Sequence, residues 1–498
     1  MTRLRYLSAA LVIGAGIILS LCSCTTEEEL RDQRVNLAVR HFDRAKYREV
    51  PETALTLQQC IELALEHNLD LKASKMEEQV GNRQKVAELL RMLPEINFNY
   101  TGTYRDRFAA SGSAQIDDDG GSYGASTSQK KSINHFNLDF ALSVMDFGLA
   151  FFNTQQAQDR ALMLKQRNIR LAQNLVLDVT KVYFNVAVFQ RAKMMSENLL
   201  KLCQDRTELI RTLAQKRAID PFRAFEETRK FNDMERRLKY YTLQYENAAV
   251  ELRALLGYYA TSDIRVDDSI LDRTPDIKLP RMEIMEQIAL LNRPEMMERD
   301  IQRHINVVEC RKIILSMFPT VRFFLDYNAS SNSFLYNQSW WDLGINSAIN
   351  LMKLPMKIAQ LTAQGKTVDA EDVKAYGQAI TVMAQVRISH ADININRKAF
   401  EQDDKTYTNY NESLLAAKAA LRKASTQKTQ LEVDHMQLQV VNAAILRMIS
   451  LSNYYQSYFR LMNAMGLDNL KQENLAAMEK ELLKQEVTAE EEIRKAVR

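Results

Sequence analysis

Apolar and polar residues alternate one by one in four short stretches of the chain. In the first stretch, Ile96, Phe98 and Tyr100 alternate with Asn97 and Asn99. A period of two residues is typical of a β-strand with one apolar and one polar face. The pattern therefore predicts two-faced strands at about 95–107, 134–146, 320–328 and 342–351.

The length and the two faces of these strands indicate a membrane barrel. Each has about the length that crosses a bilayer when a strand is tilted. A barrel wall with lipid outside and water inside requires this division of faces. We expect the following residues to face lipid: Ile96, Phe98, Tyr100, Phe140 and Leu142. We expect the following residues to face a water-filled lumen: Asn97, Asn99, Asp139, Asp342 and Asn346.

The number of strands predicts an oligomer. In lipid every strand edge must be paired, and natural single-chain barrels begin at about eight strands. Three copies of the chain, with four strands each, would supply twelve strands, whereas two copies would make only a narrow barrel of eight that side chains fill. Closure of the sheet therefore requires several copies.

Outside the strands, the pattern is that of long helices. No glycine or proline occurs from Leu149 to Asp220, which allows a helix on the order of 100 Å long. Its apolar residues step by threes and fours, as in coiled-coil packing. Asp220 can cap a return helix that begins at Pro221 and stops at Gly257. The second half repeats this arrangement, without glycine or proline from Gln378 to Met465.

Helix boundaries are predicted at several further places. A helix at about 57–92 should break near residues 66–68, and Pro94 should end it because proline disfavours helix at the preceding residue. The turn of the second long hairpin should fall at about 425–430. Proline and glycine interrupt the pattern at 352–372, so the second long helix is expected to start less regularly than the first.

The two halves of the chain repeat each other. Three pairs share one offset: His67 and Asn292, Asp70 and Glu295, Pro94 and Pro319. Gly257 and Gly466 correspond at a shorter offset, so the second copy has lost residues. A unit of about two hundred residues is much longer than a solenoid repeat, which indicates two halves. We expect a signal peptide (1–23), an N-terminal linker (24–54), a first repeat (55–257), a connector (258–280), a second repeat (281–467) and a charged tail (468–498).

The N-terminus has the pattern of a bacterial lipoprotein signal. Arg3 and Arg5 precede a short apolar run that ends in Leu21-Cys22-Ser23-Cys24. A basic start, a short apolar core and small residues at the cut indicate a cleaved signal. Cys24 is then the expected acylated first residue, with ordinary cleavage nearby or a retained anchor helix as alternatives. Acyl chains such as palmitate contribute about 0.8 kcal/mol per buried methylene, enough for several chains to hold the protein at a membrane.

Composition and motifs exclude several classes of protein. Lys+Arg number 66 and Asp+Glu 63, so the near-neutral chain shows no nucleic-acid-binding charge. The cysteines lack CxxC spacing and fit small buried hydrophobes better than disulfides or metal ligands. No HExxH, G-x-S-x-G, phosphate loop or Rossmann fingerprint occurs. We expect no enzyme activity, no cofactor and no metal site.

The segments "TLQQCIELALEHNLDLKAS", "RMLPEINFNYTGTY" and "SVMDFG", together with the duplication, resemble the TolC-like outer-membrane efflux protein family from about Leu55 to Asp468. The resemblance implies a mostly α chain with a small transmembrane β part. It also implies a homotrimer, in which a twelve-stranded barrel in outer-membrane lipid continues into an α-helical tunnel through the periplasm. Such trimers are passive exit ducts for drugs, small molecules or secreted proteins in tripartite efflux or type I secretion systems. The implied partners are a periplasmic adaptor (membrane fusion) protein and an inner-membrane pump.

The tips of the two long hairpins are the candidate docking and gating region. A helix of this length that starts at the barrel ends deep in the periplasm. The charged candidates are Lys216, Arg217, Asp220, Lys423 and Lys428. Helix capping and solvation also account for each charge singly. Family members commonly carry a glycine at each tip and neither tip has one here, so adaptor specificity stays open.

Two other classes of function are compatible with parts of the pattern. A periplasmic helical-hairpin adaptor or scaffold lipoprotein would also need long helices. Such a protein would bury its strands as compact pairs, however, whereas these strands are two-faced. An envelope enzyme would need the catalytic constellation that the sequence lacks.

Overall fold

The computed structural model describes residues 27–46, 53–112, 124–275, 277, 279–423 and 427–467. Within these residues the helices are α1 (Glu27–Lys46), α2 (Leu57–His67), α3 (Leu69–Leu90), α4 (Val144–Gln215), α5 (Pro221–Leu255), α6 (Met282–Asn292), α7 (Pro294–Leu315), α8 (Leu354–Lys423) and α9 (Gln427–Ala464). The strands are β1 (Glu95–Tyr104), β2 (Ala110–Ser111), β3 (Ser126–Thr127), β4 (Ser132–Ser143), β5 (Thr320–Ser330) and β6 (Ser339–Ala348). The mostly α fold with a small β part is confirmed.

Local capping sets the boundaries of the first-half helices. Asn68 ends α2 and caps α3, and its side chain accepts a hydrogen bond from the backbone N–H of Leu71 at 2.9 Å. The α2–α3 break therefore lies at the predicted position. Asp220 caps α5, whose first residue is Pro221, a position where no helical N–H is needed.

The duplication is visible in the backbone at the ends of the two return helices. Gly257 follows α5 with φ of +73°, and Gly466 follows α9 with φ of +72°. A Cβ at Gly466 would also lie 2.9 Å from the carbonyl oxygen of Asn292. Left-handed φ favours glycine, so both repeats use the same residue to end the same element.

The expectation that the second long helix starts irregularly is wrong. Helix α8 runs without interruption over 70 residues from Leu354 to Lys423. Pro355 lies in its first turn, where a missing N–H costs nothing. Gly365 and Gly377 continue the helix, with no atom within 4 Å of where a Cβ would stand. A helical glycine costs only about 1 kcal/mol relative to alanine, which packing of so long a helix outweighs.

Several other boundaries differ from the sequence prediction. Strand β1 ends at Tyr104 rather than at 107, and α9 already begins at Gln427, inside the turn predicted at 425–430. The predicted N-terminal linker contains α1, which begins with three glutamates and ends with basic residues, as the helix dipole favours. Strand β4 ends at Ser143 because this residue caps α4 and accepts from the N–H of Asp146. Strand β6 begins at Ser339, three residues before the prediction, and so includes Trp340 and Trp341. The short β2–β3 hairpin was not predicted.

The four long strands form one antiparallel sheet in the order β1-β4-β5-β6. Directly opposite residues lie on the same face of such a sheet. One row crosses all four strands, from Ile96 through Phe140 and Leu325 to Leu343. Within the described residues, β1 and β6 are each paired on one side only, so the sheet has two open edges.

The helices next to the sheet follow the same order as the strands to which they are joined. Helix α3 packs on α4, α4 on α7, and α7 on α8. Farther from the sheet the order is α5, α4, α9 and α8. The main core joins both repeats: the ring of Phe184 on α4 is fully buried and stacks at 5.1 Å on Tyr455 of α9.

Candidate functional site

One face of the sheet, here named the apolar face, carries the residues predicted to meet lipid. Ile96 on β1 lies opposite Phe140 on β4. The rings of Phe98 and Phe136 meet edge to face at 4.6 Å, and those of Tyr327 and Trp341 lie 5.0 Å apart. Many of these side chains are open to the surroundings in the single chain: Ile96, Phe98, Tyr100, Leu142, Phe323, Trp341, Leu343 and Ile345.

The other face, here named the polar face, holds a hydrogen-bond ladder across all four strands. Asn99 donates to Asn137 at 3.3 Å, Asn137 to Asn328 at 3.0 Å, and Asn328 to Asp342 at 2.9 Å. The indole N–H of Trp340 also donates to Asp342, at 2.9 Å. Amides and carboxylates that bond in this way on one face suit a surface in contact with water.

Charge is concentrated at one level of the polar face. Asp139, Asp326 and Asp342 lie directly opposite one another on three adjacent strands, and Asn97 continues the row on β1. Arg322 pairs with Asp139 at 2.8 Å. The predicted lumen residues Asn97, Asn99, Asp139, Asp342 and Asn346 therefore all share one face with this row.

The polar face borders a cavity of about 350 Å³ at the end of the sheet that joins the helices. Residues of the polar face on all four strands line it: Glu95, Ala141, Ser143, Thr320, Arg322, Asn346 and Ala348. Leu142 of the apolar face and the helix-joining residues 91–94, Asp146 and Phe147 complete the lining.

The helices that continue the two open edges of the sheet carry uncovered apolar stripes. On α3, Ser74 and Glu78 contact Asn168 of α4, and Met76 and Val80 point the other way, because two residues turn a helix by about 200°. Met76 is 64% exposed and Val80 56% exposed. We name these two residues and Leu69 the α3 stripe.

The last helix of the row, α8, has a matching stripe. Its Glu371 and Asp372 face Arg299 and Arg303 of α7. Away from the Glu371 contact, α8 exposes three apolar residues on one side, here named the α8 stripe: Val373, Tyr376 and Ile380. The two stripes lie on the two outer flanks of the described chain.

The tip of the first hairpin is a tight turn between α4 and α5. Arg217 adopts a left-handed φ of 55°, which is uncommon outside glycine. The Asp220 carboxylate is engaged within the chain, because it accepts from the N–H groups of Phe222 and Arg223 at 3.0 and 3.2 Å. Lys216 is exposed.

Parts of the predicted site lie outside the described residues. Cys24 and the predicted signal and tail are among them, as are residues 424–426 of the second tip. The side chains of Lys423 and Lys428 also lie outside the description.

Sequence reasoning missed several residues of the site. Arg322, Asp326 and Asn328 lie on the polar face of β5 but were not among the predicted lumen residues, because Phe324 interrupts the polar alternation between Arg322 and Asp326. Trp340 was missed because the predicted strand began after it. Phe222 and Phe225, at the start of α5, are 71% and 66% exposed and place aromatic surface beside the tip charges.

The described residues were also searched for metal-binding groups and reactive thiols. They contain no group of three or more His, Cys, Asp or Glu side chains placed to hold a metal ion. Burial raises the pKa of the Cys60 thiol to about 12 and that of Cys203 to about 11, so both thiols stay protonated and unreactive at neutral pH. No helix in the described ranges has both the length and the hydrophobicity of a membrane span.

Comparisons with known proteins agree with this geometry. A family model described as outer membrane efflux protein matches residues 60–258. The structure of CusC is similar, with a TM-score of 0.64, 15% identity, and coverage of 85% of this chain and 95% of that chain. The open-state MtrE outer membrane channel of Neisseria gonorrhoeae matches with a TM-score of 0.62 and 18% identity, over 82% of this chain and 89% of that chain. The CmeC outer membrane channel of Campylobacter jejuni matches with a TM-score of 0.63 and 13% identity, over 88% of this chain and 94% of that chain. No curated protein sequence matches the chain.

At these identities the structural likeness bears on the fold, which extends over most of this chain and most of each channel. The family match adds sequence evidence for the first repeat, from which the second is a duplication. Together with the two-faced sheet and the long helical hairpins, these findings show that the chain has the fold of these outer membrane channels and that its first repeat matches the outer membrane efflux protein family.

Proposed function

We propose that three copies of this chain form the exit duct of a tripartite efflux or type I secretion assembly. The duct passively conducts drugs, small molecules or secreted proteins across the outer membrane. The observation that carries this proposal is that one four-stranded sheet is polar on one face, with a hydrogen-bond ladder across all four strands, and apolar on the other. A barrel that closes with the polar face inward has water inside and lipid outside.

The two open edges determine how such a barrel closes. An unpaired strand edge cannot remain in lipid, so β6 of one copy must meet β1 of the next. Three copies then make a barrel of twelve strands, in the range of natural membrane barrels. The strands have 10 to 12 residues, which is about the length that crosses a bilayer.

The helical stripes fit the same closure. Because α3 leads into β1 and α8 follows β6, pairing of these edges brings the α3 stripe of one copy beside the α8 stripe of the next. Both stripes are apolar and exposed in the single chain, so contact between copies would remove them from water. The barrel and the helical tunnel thus close at the same seam.

The seam can be tested by placing charge in it. We expect the double variant Met76→Glu, Val80→Glu to reduce the trimer-to-monomer ratio by about tenfold or more, since burial of even one apolar side chain is worth roughly 1.5–3 kcal/mol. Trimer is measured by gel migration without heating and by light scattering in detergent. The matched control is Lys75→Glu, Asn82→Glu on the same helix, where both side chains are exposed and polar and point about 100° or more away from the stripe. Equal trimer yields for the two double variants would contradict the seam.

Lipid anchoring at Cys24 is a separate part of the proposal. Its support is the signal-like run that ends in Leu21-Cys22-Ser23. We expect Cys24→Ala to leave unprocessed or unlipidated precursor, because only a thiol can receive the acyl chain. Acyl labelling and the mass of the mature N-terminus measure this. The control is Cys22→Ala, which should be labelled normally, and normal labelling of Cys24→Ala would disprove the assignment.

The partners of the duct would meet it at the tips. Helix α4 has 72 residues and runs on the order of 100 Å from the sheet. The first tip combines the cations Lys216 and Arg217 with exposed Phe222 and Phe225. Aromatic residues and arginine are enriched at protein interfaces, whose rims are polar. We therefore assign the tips to docking of a periplasmic adaptor that is coupled to an inner-membrane pump.

A further inference from the structure

We propose that Gly344 on β6, which has no side chain, leaves a space in which the ring of Phe324 lies flat against the lumen wall. The ring then does not project into the lumen, and the duct stays open at the level of the sheet. This inference rests on the proposed function, because it takes the polar face to be the lumen. It assigns a role in conduction to two residues that neither bind cargo nor carry charge.

Phe324 is an exception on the polar face. Its neighbours two residues away along β5 on that face are Arg322 and Asp326. The next residue, Phe323, lies on the apolar face, opposite Ile345. A large aromatic ring directed into a water-filled lumen would expose apolar surface and narrow the passage, so its position needs an explanation.

Gly344 supplies that explanation. It lies directly opposite Phe324 in the β5–β6 pair. A Cβ placed at Gly344 would stand 2.4 Å from Cζ, 2.8 Å from Cε1 and 3.1 Å from Cε2 of the Phe324 ring. The far end of the ring therefore occupies the space that any side chain at position 344 would need. Gly344 is in an ordinary extended strand without positive φ, so backbone conformation does not require glycine there.

The ring has no other place along the wall. On its other side, Ala141 of β4 lies opposite Phe324 and is already buried, with 4% exposure. Along its own strand the ring is flanked by the charged residues Arg322 and Asp326. If position 344 were filled, the ring would have to turn away from the sheet into the lumen. In a trimer this would happen at three places on one level.

The test is single-channel conductance of the full-length protein in planar lipid bilayers. We expect Gly344→Val to form trimers and to lower the conductance by about twofold, since pore diameter limits passage. The double variant Phe324→Ala, Gly344→Val should regain the wild-type conductance, because no ring is left to enter the lumen. Phe324→Ala alone should conduct like the wild type, since the stored ring does not obstruct the duct.

The matched control is Gly102→Val on β1. Gly102 is also a strand glycine, but it lies on the apolar face, and a Cβ there would meet no atom closer than 3.5 Å. Its conductance should equal that of the wild type. If Gly344→Val fails to assemble, Gly344→Ala makes the same test, because the Cβ alone already overlaps the ring.

Two results would overturn the inference and leave the proposed function standing: unchanged conductance of assembled Gly344→Val or Gly344→Ala, or failure of Phe324→Ala to restore it in the double variant. A wild-type protein that does not assemble into trimers inserted in lipid would instead overturn the proposed function, and the inference about Gly344 with it.

Discussion

Export is expected to be lost completely when the charges at the hairpin tips are reversed together, by Lys216→Glu, Arg217→Glu, Lys423→Glu and Lys428→Glu. The first tip lies at the end of a 72-residue helix that begins at the sheet, on the order of 100 Å away. Like charges facing each other across an interface prevent docking without changing the fold of either partner. Asp220 is left unchanged because it caps α5.

The measurement is drug accumulation or secretion in cells, together with trimer assembly and outer-membrane insertion. The control reverses four exposed cations elsewhere on the same helices: Lys181, Lys201, Arg237 and Lys398. These lie at least about 20 Å from the tips along their helices, so their variant should export normally. Both variants should assemble. Normal export by the tip variant would place the docking surface higher on the helices.

An arginine on the apolar face is expected to destabilise the assembled barrel strongly, whereas an arginine on the polar face of the same strand is expected to be tolerated. Phe98→Arg should lower the free energy of unfolding by about 2–4 kcal/mol near the bilayer midplane. Asn97→Arg, one residue earlier, should cost much less, because Asn97 lies opposite Asp139 and an arginine there gains a carboxylate. Urea unfolding in lipid vesicles measures both.

Loss of the aromatic pair must be separated from insertion of the charge. Phe98 meets Phe136 edge to face, and such a pair contributes about 0.5–1.5 kcal/mol beyond its buried area. Phe98→Ala removes the pair without adding a charge and should fall between the wild type and Phe98→Arg. Equal losses for Phe98→Arg and Asn97→Arg would contradict the assignment of lipid and lumen to the two faces.

Much of the site could be predicted because its signals are local. Strict alternation assigned Ile96 and Asn97 to opposite faces, and the register of the sheet keeps them there. The residue types at Asp220 and Pro221 predicted the start of α5, because capping depends on a few neighbouring residues. Gly257 predicted a helix end because glycine adopts the left-handed φ that commonly follows a helix.

Other features could not be predicted because they depend on residues far apart in the chain. Arg322 pairs with Asp139 across 183 positions of sequence. Pro355 and Gly365 were expected to disturb α8, yet packing along the helix outweighs their weak local preference. Strand β6 begins three residues earlier than predicted, so the sequence analysis did not place Trp340 on the polar face.

The sequence by itself determined the periodic features of this protein: two-faced strands, long helices, their caps and the duplication. Each follows from the chemistry of residues within a few positions of one another. Only the tertiary structure decided the order of the strands, the ladder across the polar face, the two outer stripes and the packing of the Phe324 ring over Gly344. These depend on which strands and helices meet, and such contacts are set by packing and hydrogen bonding across the whole chain rather than by local periodicity.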